Sequence, residues 1–518
     1  MKPISKVLFF VSFFACSWLG AEASQRPNII VIVVDDLGYA DLSFLPQAPA
    51  DVKKVKTPAI DKIAKSGTYF SNAYATAPIC SPSRTGLITG KYQQRWGNYW
   101  YNEGGLPADE FTLPQVLKTA GYATKKIGKT HLNGGPVEYP TDHGFDEFLG
   151  FLHHSWDYIR LSEKDVEAYR KKGATDLGCQ VIGPLVKNAN KEKVSYENGF
   201  TTEIFTQEAI EYIQRERGDT PFYIQLEYNA VHQPTYVVPE KYANQFGIPF
   251  KPFDRNAEKW EYPYWEPTDE PHTEFHKKWG HMGEVDPYGR KAYLAQLKAL
   301  DDNIGELYKS LKKAKKLENT ILVFLSDNGG TINTFANNAP LRGYKYMFGE
   351  GGIRIPMIVS YPKSLPKGQT NNCLVSAMDI FPTLLDLTET SKPVDLDGKS
   401  LLNVLGTKKA HHHASLCWAK GQDDTWVVRQ GNWKLINNGD WQHSGFSIEN
   451  GQCIRAEDYT YPGGKQLFNL NEDIGETINL AHEYPNKVQE MTRIYETWQG
   501  QMSGPCTSAG KLKKKKND

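Results

Sequence analysis

The apolar positions of this chain gather into four short runs, and each run ends on polar residues of chemical interest. NIIVIVVDD (28–36) closes on Asp35 and Asp36, and ILVFLSDNGG (321–330) closes on Asp327 and Asn328. YATKKIGKTHL (122–132) leads to Lys129 and His131, and PFYIQLEYNAVHQP (221–234) leads to His232. Short apolar runs rich in β-branched residues predict buried strands. Between them, TLPQVLKTAG (112–121) and YLAQLKALDDNIGELYKSLKKA (293–314) repeat at helical spacing, the second through Leu294, Leu297, Leu300, Ile304 and Leu307. Strands alternating with helices predict an α/β fold with a largely parallel sheet.

The pattern changes after SAMDIFPTLLDL (376–387) and the turn-rich DLDGKS (395–400). WVVRQGNWKLI (426–436) alternates like a hairpin around Gln430, Gly431 and Asn432, QLFNLNEDIGETINL (466–480) follows, and a last helix is expected around Asn486 to Gln499. The division is therefore a main domain over 24–400, a smaller α+β domain over 401–510 and a solvated basic tail over 511–518.

In an open, mainly parallel sheet, ligands bind outside the carboxyl ends of the strands. One face then collects Asp35, Asp36, Lys129, His131, His232, Asp327 and Asn328. Singly, such residues are commonplace as turn formers, helix caps and structural histidines; four coincident runs are not. Carboxylates and an amide oxygen are hard ligands suited to Ca²⁺ or Mg²⁺. Lysine and arginine beside them suit a tetrahedral oxyanion such as sulfate or phosphate.

Composition narrows the partners. Lys plus Arg equals Asp plus Glu at 60 each, so no overall field favours nucleic acid or an acidic membrane. Lys2 and Lys6, an apolar stretch from Val7 to Leu19 and AEAS, with cleavage after Ala23, predict a secretory signal peptide over 1–23. That stretch is short for a membrane anchor, which needs about 18 or more apolar residues. The protein is expected to be exported, periplasmic or secreted, with no stable membrane insertion. Of its seven cysteines, Cys16 leaves with that peptide. Cys179, Cys373, Cys417, Cys453 and Cys506 are widely spaced; one or two disulfides are plausible in an oxidising compartment, and no pair has zinc-site spacing.

Cys80 stands apart, in APICSPSRTGLITGKY (77–92). A thiolate beside a calcium ion is a mismatch, because the metal prefers oxygen. Cys80-Ser81-Pro82-Ser83-Arg84 resembles the signature of the type I sulfatases, of the alkaline phosphatase-like superfamily, in which this cysteine is oxidised to Cα-formylglycine (3-oxoalanine). RPNIIVIVVDDLGYADL, IGKTHL, HGFDEFLG, SDNGG, PLRGYKYMFGEGGIRIP and DIFPTLLDL resemble further family blocks in order; the likeness is to polysaccharide or N-acetylgalactosamine-6-sulfatase-like bacterial members.

The resemblance implies a large mixed, mainly parallel sheet sandwiched by helices, and a sulfuric ester hydrolase. It implies one Ca²⁺ held by Asp35, Asp36, Asp327, Asn328 and the modified Cys80, and a maturation enzyme as partner. Lys129 and Lys345 are then sulfate ligands, Arg84 braces the modified side chain, His232 is the general acid and His131 takes a proton from the second hydroxyl of the hydrated aldehyde. Two departures stand out: Thr130 replaces the usual tryptophan between Lys129 and His131, and Tyr344 and Tyr346 flank Lys345 where smaller residues are common.

Two other functions compete: a phosphatase or phosphonate hydrolase of the same superfold, and a silent carbohydrate-binding protein with Cys80 unmodified. The expected substrate is a sulfated carbohydrate, a glycosaminoglycan fragment or an algal polysaccharide such as ulvan or carrageenan. Trp260, Tyr262, Tyr264 and Trp265 are sugar-stacking candidates or loop anchors, and His153, His154, Trp156 and Arg160 are expected near the substrate mouth by family analogy. His411, His412 and His413 read as a solvated run near the domain boundary rather than a metal cluster.

Overall fold

The structure, a computed structural model, describes residues 26–506 except 102, 133–134, 136, 138, 153–157, 159–163, 165–166, 168–184, 197–198, 234, 236, 251–287, 392–394, 407–410, 422, 439–441, 444–445, 450–451, 456–458 and 461–462. The expected signal peptide and basic tail, Cys179, the aromatics at 260–265 and the candidates His153, His154, Trp156 and Arg160 lie outside the described residues.

Among the described residues, ten strands form one sheet. In chain order they are β1 (Asn28–Val34), β2 (Thr68–Phe70), β3 (Ala123–Lys129), β4 (Glu147–Phe151), β5 (Leu185–Lys187), β6 (Glu192–Val194), β7 (Phe222–Glu227), β8 (Thr320–Ser326), β9 (Met357–Ser360) and β10 (Gln369–Asn371). Across the sheet the order is β10-β2-β9-β8-β1-β7-β3-β4-β5-β6. The four apolar runs are β8, β1, β7 and β3, adjacent and parallel at the centre. Antiparallel pairs of β9 with β8 and β2, and of β5 with β4 and β6, make the sheet mixed toward its edges.

Both faces of β1 are buried, which explains its unbroken apolar run. Ile30, Ile32 and Val34 pack with Phe205 and Tyr212 of α3 (Thr201–Gln214) and with Leu297, Leu300 and Ile304 of α4 (Gly289–Lys313). Ile29, Val31 and Val33 face Leu87 of α1 (Cys80–Thr89), Val116 of α2 (Leu113–Thr119) and Leu384 of α5 (Ile380–Leu387). Each such branched side chain contributes about 1.5–3 kcal/mol on burial. The α2 start follows its sequence: Gln115 N–H donates to Thr112 Oγ1 and Thr112 N–H donates to Gln115 Oε1, a capping box.

A second, antiparallel sheet comprises β11 (Ser415–Ala419), β12 (Trp426–Gln430), β13 (Trp433–Asn438) and β14 (Gly464–Asn469), covered by α6 (Pro485–Gln499). The hairpin turns at Gly431, whose φ of +55° suits glycine. Trp426 stacks on Tyr495 of α6 at 4.2 Å between ring centroids. Trp418 Nε1 donates to the Ala75 carbonyl, 2.8 Å, joining the small sheet to the segment that leads into α1.

Candidate active site

Strand ends build the cluster. Asp35 and Asp36 follow β1, Asp327 and Asn328 follow β8, and Lys129 is the last residue of β3. Backbone bonds lock the ends together: Asp35 N–H donates to Ala230 O (2.9 Å), Val231 N–H to Asp35 O (2.8 Å) and Asp327 N–H to Val34 O (3.1 Å). A loop brings in Lys345 through its own N–H, which donates to Gly330 O at 3.1 Å. Gly329 permits this crowding, since a Cβ there would lie 1.8 Å from the Gly351 carbonyl oxygen.

Cys80 is the first residue of α1 and is buried, with Sγ 3.6 Å from Asp35 Oδ1. The N-terminus of α1, with its partial positive charge, therefore opens onto the cluster. One turn on, Arg84 donates from Nε and Nη2 to Asp327 Oδ2 (3.0 and 2.8 Å), approaches Asp35 Oδ1 at 3.6 Å and bonds Glu227 through Nη1. Lys129 Nζ lies 2.5 Å from Asp35 Oδ2, and Lys345 Nζ lies 2.9 Å from Asp36 Oδ2. His232 Nε2 is 3.5 Å from the same Asp36 oxygen, and its Nδ1 is 2.9 Å from Gln233 O.

Nine of the sequence candidates thus meet in one buried network: Asp35, Asp36, Cys80, Arg84, Lys129, His232, Asp327, Asn328 and Lys345. The tenth, His131, is buried two residues past Lys129, its N–H donating to Leu152 O at 2.8 Å. Its φ of +50° and the +58° of Asp36 hold non-glycine residues in the left-handed region, a local strain that recurs at functional sites. Tyr346, at φ +78°, packs against Trp100 and so pins the Lys345 loop beside Ala77 and Ile79. That packing accounts for one aromatic neighbour of Lys345.

Two residues went unnoticed in the sequence. Glu227 ends β7, accepts from Arg84, and lies 2.5 Å from Lys126 Nζ, all within the interior. Its signal was a carboxylate ending the apolar strand FYIQLE. With it, four carboxylates (Asp35, Asp36, Glu227, Asp327) face four cations (Arg84, Lys126, Lys129, Lys345).

Electrostatics follow from this packing. Burial alone would raise the Asp35 carboxyl, but Lys129, His232, Arg84 and Lys345 together hold it well below its usual value. Burial and the Asp35 charge push Asp327 up to about 7. Burial pushes the Cys80 thiol up to about 12 against the pull of Lys129 and Lys345, so it is protonated at neutral pH and a weak nucleophile. Burial and Lys345 lower His232 to about 4, leaving its imidazole neutral.

Asn328 Oδ1 is buried and accepts no hydrogen bond, while its Nδ2 donates to Asp36 Oδ1 at 2.7 Å. An orphaned amide oxygen among three carboxylates is a donor set that fits a hard divalent cation.

A family model described as Sulfatase matches residues 27–390. The chain is 27% identical to N-acetylgalactosamine-6-sulfatase of Homo sapiens over 93% of its length and 87% of that protein. It is 28% identical to Arylsulfatase J of Mus musculus over 92% of its length and 76% of that protein. Among solved structures it resembles Ps i-CgsB in complex with k-i-k-neocarrahexaose, with a TM-score of 0.72 and 28% identity over 93% of this chain and 94% of that one.

Proposed function

The chain belongs to the sulfatase family, and we propose that it is an exported enzyme removing sulfate from a sulfated carbohydrate, with formylglycine made from Cys80 and one Ca²⁺ held by Asp35, Asp36, Asp327, Asn328 and the modified Cys80. Hydrolysis of sulfuric esters is the activity of its named relatives. The observation that carries the rest is the setting of Cys80. It starts a helix amid paired charges, within Cys-x-Pro-x-Arg, as a thiol held protonated by burial.

When present, the hydrated aldehyde supplies an oxygen nucleophile, and Ca²⁺ offsets sulfate charge and favours ionisation of that oxygen. The chain's own residues do the rest. Lys129 and Lys345 offer ammonium groups to sulfate oxygens, and the α1 N-terminus adds its dipole. Arg84, held by Asp327 and Glu227, braces the residue at position 80. His232 is the proton donor to the leaving oxygen: an incoming sulfate ester raises its affinity for a proton, which burial and Lys345 otherwise depress. His131 accepts a proton from the residue at position 80.

The substrate class is supported by the oligosaccharide complex of Ps i-CgsB and by the name of the human relative. The neighbour's ligand favours an algal polysaccharide of the carrageenan kind and the relative's name a glycosaminoglycan fragment. Export rests on the N-terminal pattern of residues 1–23, and a formylglycine-generating enzyme is the partner that oxidation of Cys80 requires.

The test is co-expression with such an enzyme, followed by sulfate release from a panel of sulfated sugars and polysaccharides, beside Cys80→Ala and with chelator. Release that disappears in the variant and weakens with chelator supports the mechanism. A peptide mass showing formylglycine with release of phosphate, but not sulfate, from aryl esters would replace it with phosphoryl ester hydrolysis.

A further inference from the structure

Away from the strand ends, two of the three consecutive histidines are not solvated. His413 is 8% exposed and the His412 side chain 3%, while His411 remains exposed. Both buried rings turn Nε2 toward one carboxylate, Asp379, which stands at the start of α5: His413 at 2.8 Å from Oδ1 and His412 at 3.3 Å from Oδ2. The solvated-run reading fails here because the segment entering β11 folds back against α5.

We propose that Asp379, His412 and His413 form a second metal site, for a borderline divalent transition ion such as Zn²⁺, between the main sheet's helical layer and the small sheet. The three donor atoms lie within 4.8 Å of one another. Two ligands about 2.0–2.1 Å from one tetrahedral ion are roughly 3.3 Å apart, which the His412–Asp379 separation matches, while the 2.8 Å His413–Asp379 contact would lengthen by about 0.5 Å to admit the ion.

Hydrogen bonding alone accounts poorly for the convergence. Asp379 already accepts the Ser376 N–H at Oδ2 and the Lys399 N–H at Oδ1, each at 2.8 Å, and His413 completes Oδ1. His412 Nε2 is buried and faces Asp379 Oδ2 at 3.3 Å without a well-formed hydrogen bond. The rings stand perpendicular with centroids 4.8 Å apart, so a cation between the Nε2 atoms and the carboxylate would satisfy every donor. Two imidazoles with one carboxylate select transition ions over Ca²⁺, which takes oxygen. His413 also lines a cavity of about 480 Å³ with Tyr92, Lys399 and Trp498, which gives an ion an entry path and a water room to complete its coordination.

The site is independent of sulfate chemistry, and so is its test. The full chain, stripped by dialysis against chelator, is equilibrated with Zn²⁺ in excess Ca²⁺, and retained zinc is measured; Co²⁺ in place of Zn²⁺ reports coordination by visible absorption. His412→Ala is the decisive variant, since it leaves the His413–Asp379 hydrogen bond in place, and His413→Ala is the second. The expected result is one retained zinc per native chain, a thermal midpoint raised by Zn²⁺, and affinity about tenfold or more weaker in His412→Ala, with no midpoint shift. A native chain that keeps no zinc, or a folded His412→Ala protein that keeps as much, overturns the proposal.

Discussion

Arg84 and Asp327 are joined twice, by Nε and Nη2 to a single carboxylate oxygen, in a place where neither side chain is more than 1% exposed. Lysine has one ammonium and cannot also reach Glu227 and Asp35, so Arg84→Lys is not conservative here. Removing one partner of a buried ion pair costs about 3–5 kcal/mol. Denaturant unfolding of Arg84→Ala should show a loss of that size, with Arg84→Lys intermediate and both well below native in sulfate release. An unchanged unfolding midpoint in Arg84→Ala would remove the bracing role.

Asn328 tests the cation site without altering charge. Its Oδ1 has no hydrogen-bond donor, whereas its Nδ2 is engaged by Asp36 and Gly329 O. Asn328→Leu should raise the Ca²⁺ concentration for half-maximal activity by about tenfold, equivalent to ~1.4 kcal/mol of binding. A calcium titration that superimposes on that of the native chain would exclude Asn328 as a ligand.

His143 predicts acid sensitivity of the fold. It is 2% exposed, stands edge-on to Phe145, and neither ring nitrogen finds a hydrogen-bond partner. Burial, then the nearby Lys126 charge, lower it from 6.5 to about 3. A base whose folded affinity for protons is depressed stabilises the fold above its unfolded pKa, and that stability drains as pH falls from 6.5 toward 3. The loss is on the order of a few kcal/mol. Unfolding free energies at pH 7 and pH 4 should therefore converge more closely in His143→Phe than in the native chain; equal pH slopes would sink the idea.

The central strands and their polar ends were legible because a two-sided buried strand must be apolar throughout, so residues such as Asp35, Asp36 and Asp327 stand out at its end. Glu227 and Lys126 were not. On its own, ATKKIGK reads as a strand with a solvated lysine edge, and only pairing of β3 with β7 turns Lys126 onto Glu227 and hides both. His412 and His413 were misread for the same reason. A polar run looks solvated until the partner that buries it, here Asp379, is brought from 33 residues upstream of His412 in the sequence. Cysteine pairing offered even less: Cys80, Cys417 and Cys506 are free thiols among the described residues.

The small sheet also reaches toward the Lys345 loop through charge. Lys434 of β13 is fully buried, 3.0 Å from Glu350 and 2.8 Å from Glu476. Glu350 accepts from Tyr74 Oη at 2.7 Å, and its N–H donates to Glu476 at 2.7 Å. Next to it, Gly351 N–H donates to Arg342 O at 2.7 Å, which ties the same turn to the loop carrying Lys345. Lys434→Met leaves two carboxylates facing each other without their shared cation, which should cost about 3–5 kcal/mol. It should also depress sulfate release at temperatures where the protein is still folded, because Lys345 loses its support. Lys434→Met with Glu476→Gln removes one of the stranded charges and should recover part of the stability. If the double variant unfolds at the same denaturant concentration as Lys434→Met, uncompensated charge is not the source of the loss. If Lys434→Met alone matches the native midpoint, the network does not brace the loop.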